Sequence, residues 1–516
     1  MRSTFMGLES SKRGLYTQQS ALYTTGHNIS NANTLGYTRQ RVNMETTPGY
    51  PGSGLNTMRT AGHIGTGVQA HSVQRMRDEF TDRQFRQEVN KLGYWQSTTK
   101  SISQMEDIMS EPSEFGLNQA FTEFWKSMED VVDNPKDTAA RQVMLSKGQG
   151  LAESFNYMDT QLKLIQGNIG NEIDVTTKKV NNLLKQVAAL NEQIQKVEPN
   201  GYMPNDLYDA RDVLLDQLNE ILPVSISFES SGGNALAIAE GSMTITYVDK
   251  AGNKIDLVKG KEYGQLEAND SNNLPIDGDV DTANGYNPFK EFVFTGVGNP
   301  ATLTVKHEDL EPSKGQLAAL VDAYGYQATN ANGTVEVKGL YPEMLQQLDL
   351  LAATFIKAFN DIHNSANAFD LDGNPGKPFF SGTTAKDINV AITDPREIAA
   401  SDAPDEEGNN KNMLELSKLQ SAVQAGLQGG TFQSFYKSLV GDLGVKGEQA
   451  VKLEFNSGTL ALQIENNRAS HNSVSLDEEM TNMITFQQAY NANARMITVI
   501  DETLDKIING MGRVGL

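Results

Sequence analysis

The chain has 516 residues, no cysteine, and 65 Asp or Glu against 43 Lys or Arg, for a net charge of −22. This composition excludes disulfides, thiol catalysis and Cys-ligated metals, and it argues against a nucleic-acid partner. No run of about 18 apolar residues exists, so no membrane span is expected.

The length predicts about two to four domains. Residues 1–100 hold twelve Lys or Arg and six Asp or Glu, so the acidic excess lies in the rest of the chain. A basic N-terminal part facing an acidic neighbouring copy and a solvated helix face both account for this. The N-terminus carries no apolar core of the secretory kind, so export is expected by another route. A chain without cysteine suits passage, unfolded, into an oxidising medium.

Leu8, Leu15, Leu22 and Ile29 are seven apart, which predicts a long amphipathic helix in search of a partner. Beside them lie Gly7, Gly14 and Ala21, small enough for another helix to approach closely. Asn28, Asn31, Asn33 and Gly36 then read as helix-ending chemistry, with Tyr37 as an aromatic anchor. Residues 38–75 predict irregular extended structure and a few strands. Gly65-Thr-Gly67 superficially fits a dinucleotide fingerprint, but no buried strand precedes it and no amphipathic helix follows.

Residues 78–132 predict helix, with Ile102, Met105 and Ile108 on one core stripe and Phe121, Phe124, Trp125 and Met128 on another. Asn134-Pro135 breaks the run. A helix of roughly 90 Å then extends to about Val197, with Gly167 and Gly170 as possible kinks. A shorter helix is expected at 206–222. At Pro223 the pattern changes to period two, as in Val224-Ser-Ile226-Ser-Phe228, and a mostly β region runs to 340. Helix returns at 341–363 and at 411–440, separated by an acidic loop at 401–410, and a looser stretch follows.

The cleanest periodicity closes the chain. Leu476, Met483, Tyr490, Ile497, Leu504 and Met511 form one seven-residue row, and Phe486, Ile500 and Ile507 a second. Ser475 and Glu478 read as a capping box and Gly510 as a stop.

No constellation supports an enzyme. His307-Glu308 with Glu311 lacks the second histidine of a zinc-protease helix, and Pro312 follows. Asp370, Asp372 and Asn374 have calcium-loop spacing, but Pro375 and Ser381 stand where glycine and a bidentate glutamate are needed, so a tight turn is the better reading. Ser97 and Lys100 fit a four-residue Ser-x-x-Lys match that arises by chance. Neither a nucleophile elbow nor a phosphate loop is present.

The segments Asn28-Ile-Ser-Asn-Ala-Asn-Thr-Leu-Gly-Tyr-Thr-Arg39-Gln40, Gln487-Gln-Ala-Tyr490-Asn-Ala-Asn-Ala-Arg495 and Asp501 through Asn509 resemble the terminal signatures of the axial proteins of the bacterial flagellum. Gly93-Tyr94-Trp95, Gln104 to Asp107, Asn118 to Trp125, Asn134 to Asp137 and Asp206 to Asp212 resemble the hook-associated branch of that family, the subunits at the junction between hook and filament. Ser11, Gly14 and Ser473 depart from the family pattern by swapping one small residue for another.

The resemblance implies a fold that is mainly α with an inserted β domain. Residues 1–75 and 472–516 would form a terminal helical core, 76–222 and 341–471 a helical rod domain, and 223–340 an outer, mostly-β domain. It implies a structural subunit, extracellular in the flagellum, with no cofactor. Its partners would be other copies of itself, hook protein, neighbouring hook-associated and filament subunits, an export chaperone and the flagellar secretion apparatus. The assembly contacts are expected at Leu8, Leu15, Leu22, Ile29, Asn28, Asn31, Asn33, Gly36 and Tyr37, and at Leu476, Met483, Tyr490, Ile497, Leu504, Ile507 and Ile508. A hook or distal-rod subunit, or an exported adhesin anchored by flagellar-type ends, is the alternative.

Overall fold

The computed structural model describes residues 5–50, 65–109, 116–277, 286–329 and 333–510. Met511, the last member of the C-terminal row, lies outside them. Helix α1 (Phe5–Ser30) leads into a hairpin of β1 (Gln40–Thr46) and β2 (Val68–Arg75). Helices α2 (Glu79–Met109), α3 (Leu117–Asp133), α4 (Thr138–Val197) and α5 (Asn205–Ile221) follow. Strands β3 (Val224–Glu229), β4 (Ser242–Val248), β5 (Lys254–Lys259) and β6 (Glu262–Tyr263) make one antiparallel sheet in that order.

A second sheet gathers β7 (Gln265–Asp270), β8 (Phe289–Thr295), β9 (Thr302–Lys306), β10 (Tyr326–Thr329) and β11 (Val335–Lys338), with α6 (Gln316–Tyr324) between β9 and β10. Helix α7 (Leu340–His363), the short pair β12 (Phe380–Ser381) and β13 (Asn389–Val390), α8 (Lys411–Lys418), α9 (Phe432–Asn472) and α10 (Leu476–Gly510) complete the chain. The fold is mainly α with a sheet-bearing region between helical parts, as its sequence predicts.

Helix α4 is the spine. Asp137 caps it by accepting from the Ala139 N–H at 2.8 Å. Its 60 residues are helical without a break, through Gly167 and Gly170. A Cβ on Gly167 would meet the Tyr286 hydroxyl at 2.0 Å, and the glycine makes room for that ring. The expected stripe Phe121, Phe124, Trp125 and Met128 is core: it joins Phe155, Phe355, Phe359, Phe379, Phe380 and Phe432 in one buried aromatic cluster.

Two features differ from the sequence expectation. The stretch after 440, expected to be loose, belongs to one 41-residue helix, α9. Glycines at 441, 444, 447 and 458 lower its intrinsic propensity. Packing along α2 overrides that, and a Cβ on Gly447 would sit 2.7 Å from Glu106 Oε1. Within the 223–340 segment, α6 buries Leu317, Ala319, Leu320 and Val321 against the helices rather than extending the sheets. The Tyr94 hydroxyl of α2 donates to Asp322 at 2.7 Å, and Gln166 of α4 donates to the Tyr324 carbonyl at 2.7 Å.

Candidate assembly interface

The two ends of the chain close on each other. Helices α1 and α10 run antiparallel, with Gly7 against Ile500, Gly14 against Asn493 and Asn28 against Glu479. A Cβ on Gly14 would stand 2.9 Å from Asn493 Oδ1, so a larger residue there would force the helices apart. The row of α1 that is buried is the small and polar one: Gly14, Thr17, Ala21, Thr25 and Asn28. The β1–β2 hairpin covers its other side, where the Thr17 hydroxyl donates to the Val68 carbonyl at 3.2 Å.

Leu8, Leu15, Leu22 and Ile29 flank that row and are half-buried. On α10, Met483, Tyr490, Ile497 and Leu504 are half-buried together with Phe486, Asn493 and Ile500 on the side that meets α1. Leu476, Met480, Ile484, Met496, Val499, Ile507 and Ile508 are exposed on the rest of the helix.

At the hairpin end a polar lock joins the termini. Asn28 is 1% exposed and fully bonded. Its Oδ1 accepts from the Tyr37 hydroxyl at 2.8 Å and from the Gln40 N–H at 3.0 Å. Its Nδ2 donates to the Gln40 carbonyl at 2.8 Å and to Glu479 Oε2 at 3.1 Å. Glu479 is 2% exposed, and Arg39 supports it by donating from Nε to Oε1 at 2.8 Å. Arg39 also donates to Glu478 at 2.8 Å, and the Arg39 N–H donates to the Asn472 carbonyl at 2.8 Å. The carboxylate of Glu478 therefore serves the other end of the chain rather than the expected capping box.

Charge-assisted bonds of this kind are about twice as strong as neutral ones, and here they bridge 440 residues of sequence. Burial, then the carboxylates of Asp206, Asp209 and Glu479, push the Tyr37 hydroxyl well above its ordinary pKa, so it stays a donor. Gly36 supplies φ +77° for the turn, and a Cβ there would meet Val213 Cγ2 at 2.1 Å. Asn31 caps locally, donating to the His27 carbonyl at 3.1 Å. Asn33 is exposed, as is Leu35 at the tip of the turn.

Below the lock, arginines and carboxylates from six segments form a buried joint. Arg75 of β2 donates to Asp209 and Asp212 of α5 at 2.7 and 2.8 Å, and pairs with Glu240. Arg77 pairs with Asp212, and bonds Asp82 at 2.8 Å. Arg86 reaches Asp216 at 2.7 Å, and Arg211 reaches Glu240 at 2.8 Å. Arg468, from the far end of α9, closes the set against Asp82 and Asp216 at 2.8 and 2.9 Å.

Burial pulls Arg77 down to about 10, helped by the neighbouring Arg75. Burial works against the Glu240 charge, but Arg75 and Arg211 outweigh it and hold its pKa below the usual range. A rigid guanidinium fork suits such a site better than a lysine point charge. The sequence does not point to this joint, and it marks Arg39 only within the N-terminal motif and Glu478 only as a capping residue, without pairing either end with the other. The signal it had was acidic residues at the start of α10 and arginines clustered in the basic N-terminal part.

The set-aside chemical motifs have structural partners. Gly65 to Gly67 lead into β2 rather than a helix. His307 pairs with Asp322 and stacks on Tyr326. Asp370 Oδ1 accepts from the N–H groups of Asp372 and Asn374 at 2.9 and 2.8 Å, a tight Asx loop. No described helix is long and apolar enough to cross a membrane.

The two ends of the chain are thus locked to each other by a polar turn, with a helical body hung from them. Residues 471–510 match the C-terminal family of flagellar basal body rod FlgEFG proteins. Residues 102–380 match the flagellar hook-associated protein FlgK helical domain.

The chain is 40% identical to flagellar hook-associated protein 1 of Bacillus subtilis over 99% of both chains. It is 27% identical to that of Salmonella typhimurium over 96% of this chain and 98% of the relative. The chain belongs to the flagellar hook-associated protein 1 family. The flagellar hook junction protein FlgK from Burkholderia pseudomallei shares the fold, with a TM-score of 0.60 at 14% identity over 76% of this chain and all of that one. The chain is accordingly a structural protein of the flagellum and not an enzyme.

Proposed function

We propose that this protein joins the hook to the filament as a structural subunit assembled through its terminal helices. The observation that carries the reading is the α1–α10 pair. It is closed within the chain by Asn28, Arg39 and Glu479, yet leaves Met480, Ile484, Met496, Val499 and Ile508 at least half exposed on one helix. Apolar side chains left exposed in this number on one helix mark an interaction surface.

The contacts to neighbouring subunits are assigned to those side chains, with Leu476 and Ile507. The flank Leu8, Leu15, Leu22 and Ile29 and the exposed turn at Asn33 belong to the same surface. Asn28, Asn31, Gly36 and Tyr37 hold the turn in shape. Met483, Tyr490, Ile497 and Leu504 contribute mainly by holding α10 against α1.

The terminal core is 1–75 with 472–516, the rod domain is 76–222 with 341–471, and 223–340 is the outer domain, of which α6 is the part that packs on the rod. The neighbours on this reading are further copies, hook protein and the adjoining hook-associated and filament subunits. The chain travels through the flagellar secretion apparatus with an export chaperone and without a cleaved signal, to an extracellular place in the flagellum. The absence of cysteine from 516 residues supports passage unfolded.

Electron microscopy of a deletion strain tests the reading. A hook without a filament is expected. The absence of any hook would indicate a rod or hook subunit, and a normal flagellum would leave an anchored adhesin. Complementation refines it: Ile484→Asp is expected to give a normally folded protein that restores no filament.

A further inference from the structure

Strand β3 is an edge that pairs with no further strand among the described residues. It ends the order β3-β4-β5-β6, and its pairing with β4 runs over six residues without a bulge. Edge strands are ordinarily blunted by lysine, proline, bulges or short length. Val224-Ser-Ile-Ser-Phe-Glu229 contains no lysine or proline. The opposite edge, β6, has two residues, and β5 inside the sheet carries the bulge. Among the described residues, no backbone hydrogen bond joins the outer side of β3 to another segment.

A cleft of about 490 Å³ runs beside this edge. One wall is Pro223, Val224, Ser225 and Ile226; the other is the first half of α2. Successive strand residues point to opposite faces, so Ser225 and Ile226 share one cavity because it lies along the strand's edge. The far wall is cationic. Among the described residues, its cation without a carboxylate partner is Arg83; Lys91 is paired with Glu88 at 3.0 Å and Arg86 with Asp216 at 2.7 Å, and at the end of the cleft Lys314 is paired with Glu311. Arg83 is exposed, and its Nε reaches the Glu79 carbonyl of its own helix. Asn90, 3% exposed in the same wall, has a side-chain oxygen without a donor.

We propose that the β3 edge is a docking site for an extended acidic segment of a partner protein, which adds as a further strand between β3 and α2. Main-chain pairing supplies the affinity in this mode and the flanking charges supply the preference. The proposal goes beyond the terminal-helix assembly and does not depend on it.

Fluorescence anisotropy of the full chain with fluorescein-labelled heptapeptides tests it. The peptides alternate valine and threonine between glutamates. Saturable binding is expected, at least about tenfold weaker when alternate peptide amides are N-methylated, since each lost pairing removes a hydrogen bond. The Arg83→Glu/Lys314→Glu double variant is expected to bind about threefold more weakly at low salt, with its melting temperature unchanged. No saturable binding by any acidic peptide overturns the proposal, as does equal binding of N-methylated or lysine-flanked peptides. Self-association of the chain that Ser225→Pro abolishes and the peptides do not compete would assign the edge to a second copy instead.

Discussion

The aromatic core of the rod and the α1–α10 pair both arise from regularly spaced apolar rows, yet they are fastened in opposite ways. In the core, Phe121, Phe124, Phe155, Phe355 and Phe359 have no exposed surface. In α10 the one fully buried residue among those described is a glutamate, Glu479. Apolar burial holds the first region; a polar lock and a half-buried seam hold the second. The difference teaches that a heptad row reports a need for a partner without reporting how much of that need the same chain meets. The aromatic core meets all of it, and the terminal pair meets part.

The largest expected effect lies in the rod. Phe355 packs on Phe121, Phe380 and Phe432 with ring centroids 5.3, 5.1 and 5.3 Å away. Phe355→Ala is expected to destabilise the rod by about 3–5 kcal/mol in denaturant unfolding. A loss below about 1 kcal/mol would mean that the cluster collapses around the gap and is not the fastening described.

A pH scan sharpens the contrast next. His363 is fully buried and neutral: its Nδ1–H donates to the Lys377 carbonyl at 2.6 Å, and its Nε2 accepts from the Ala399 N–H at 2.9 Å. Burial lowers its pKa to about 4 from 6.5, with Arg141 adding to the effect. The unfolded chain binds this proton first, so the contribution is present above pH 6.5 and is lost as pH falls toward 4. The loss amounts to about 3 kcal/mol by the bottom of that window. His363→Gln is expected to flatten the slope between these limits. An unchanged slope would contradict the assignment.

A smaller and more local effect is expected at the lock. Glu479→Ala removes the acceptor for Arg39 and one for Asn28. A loss of about 1.5–3 kcal/mol follows, confined to the ends. Hydrogen exchange in α1 and α10 should accelerate while α4 and α7 keep their protection. Acceleration throughout the chain would show that the ends and the rod unfold as one unit.

The elements were largely legible because periodicity is a local property. The helices at 8–29 and 476–511, the long helix to Val197 and the change to period two at Pro223 all follow from spacing. The orientation of the N-terminal helix was less so. Its leucine row looks like the seam, but the buried row is the glycine-alanine one beside it, because close approach matters more there than side-chain size.

Helix α9 was missed beyond 440 because its glycines weaken propensity, and their reason, contact with α2, lies more than 300 residues away. The lock was legible in one half only. Asn28, Gly36 and Tyr37 stand out as a turn, but no spacing rule connects them to Glu479, whose side chain meets Asn28 451 residues along the chain. The arginine joint is hidden for the same reason: its members come from β2, the link between β2 and α2, α2, α5, α9 and the loop before β4.

The absence of cysteine offers a direct test of the closure itself. Gly14 and Asn493 face each other in the antiparallel register, so a Gly14→Cys/Asn493→Cys variant places two thiols within disulfide reach. Gly14→Cys with Ile500→Cys is one seven-residue step out of register. Oxidation of dilute monomer, followed by non-reducing electrophoresis and peptide mapping, reads the outcome. The account predicts an intramolecular disulfide for the first pair and none for the second. Intermolecular products alone, or equal reactivity of both pairs, would show that α1 and α10 do not close on each other within one chain.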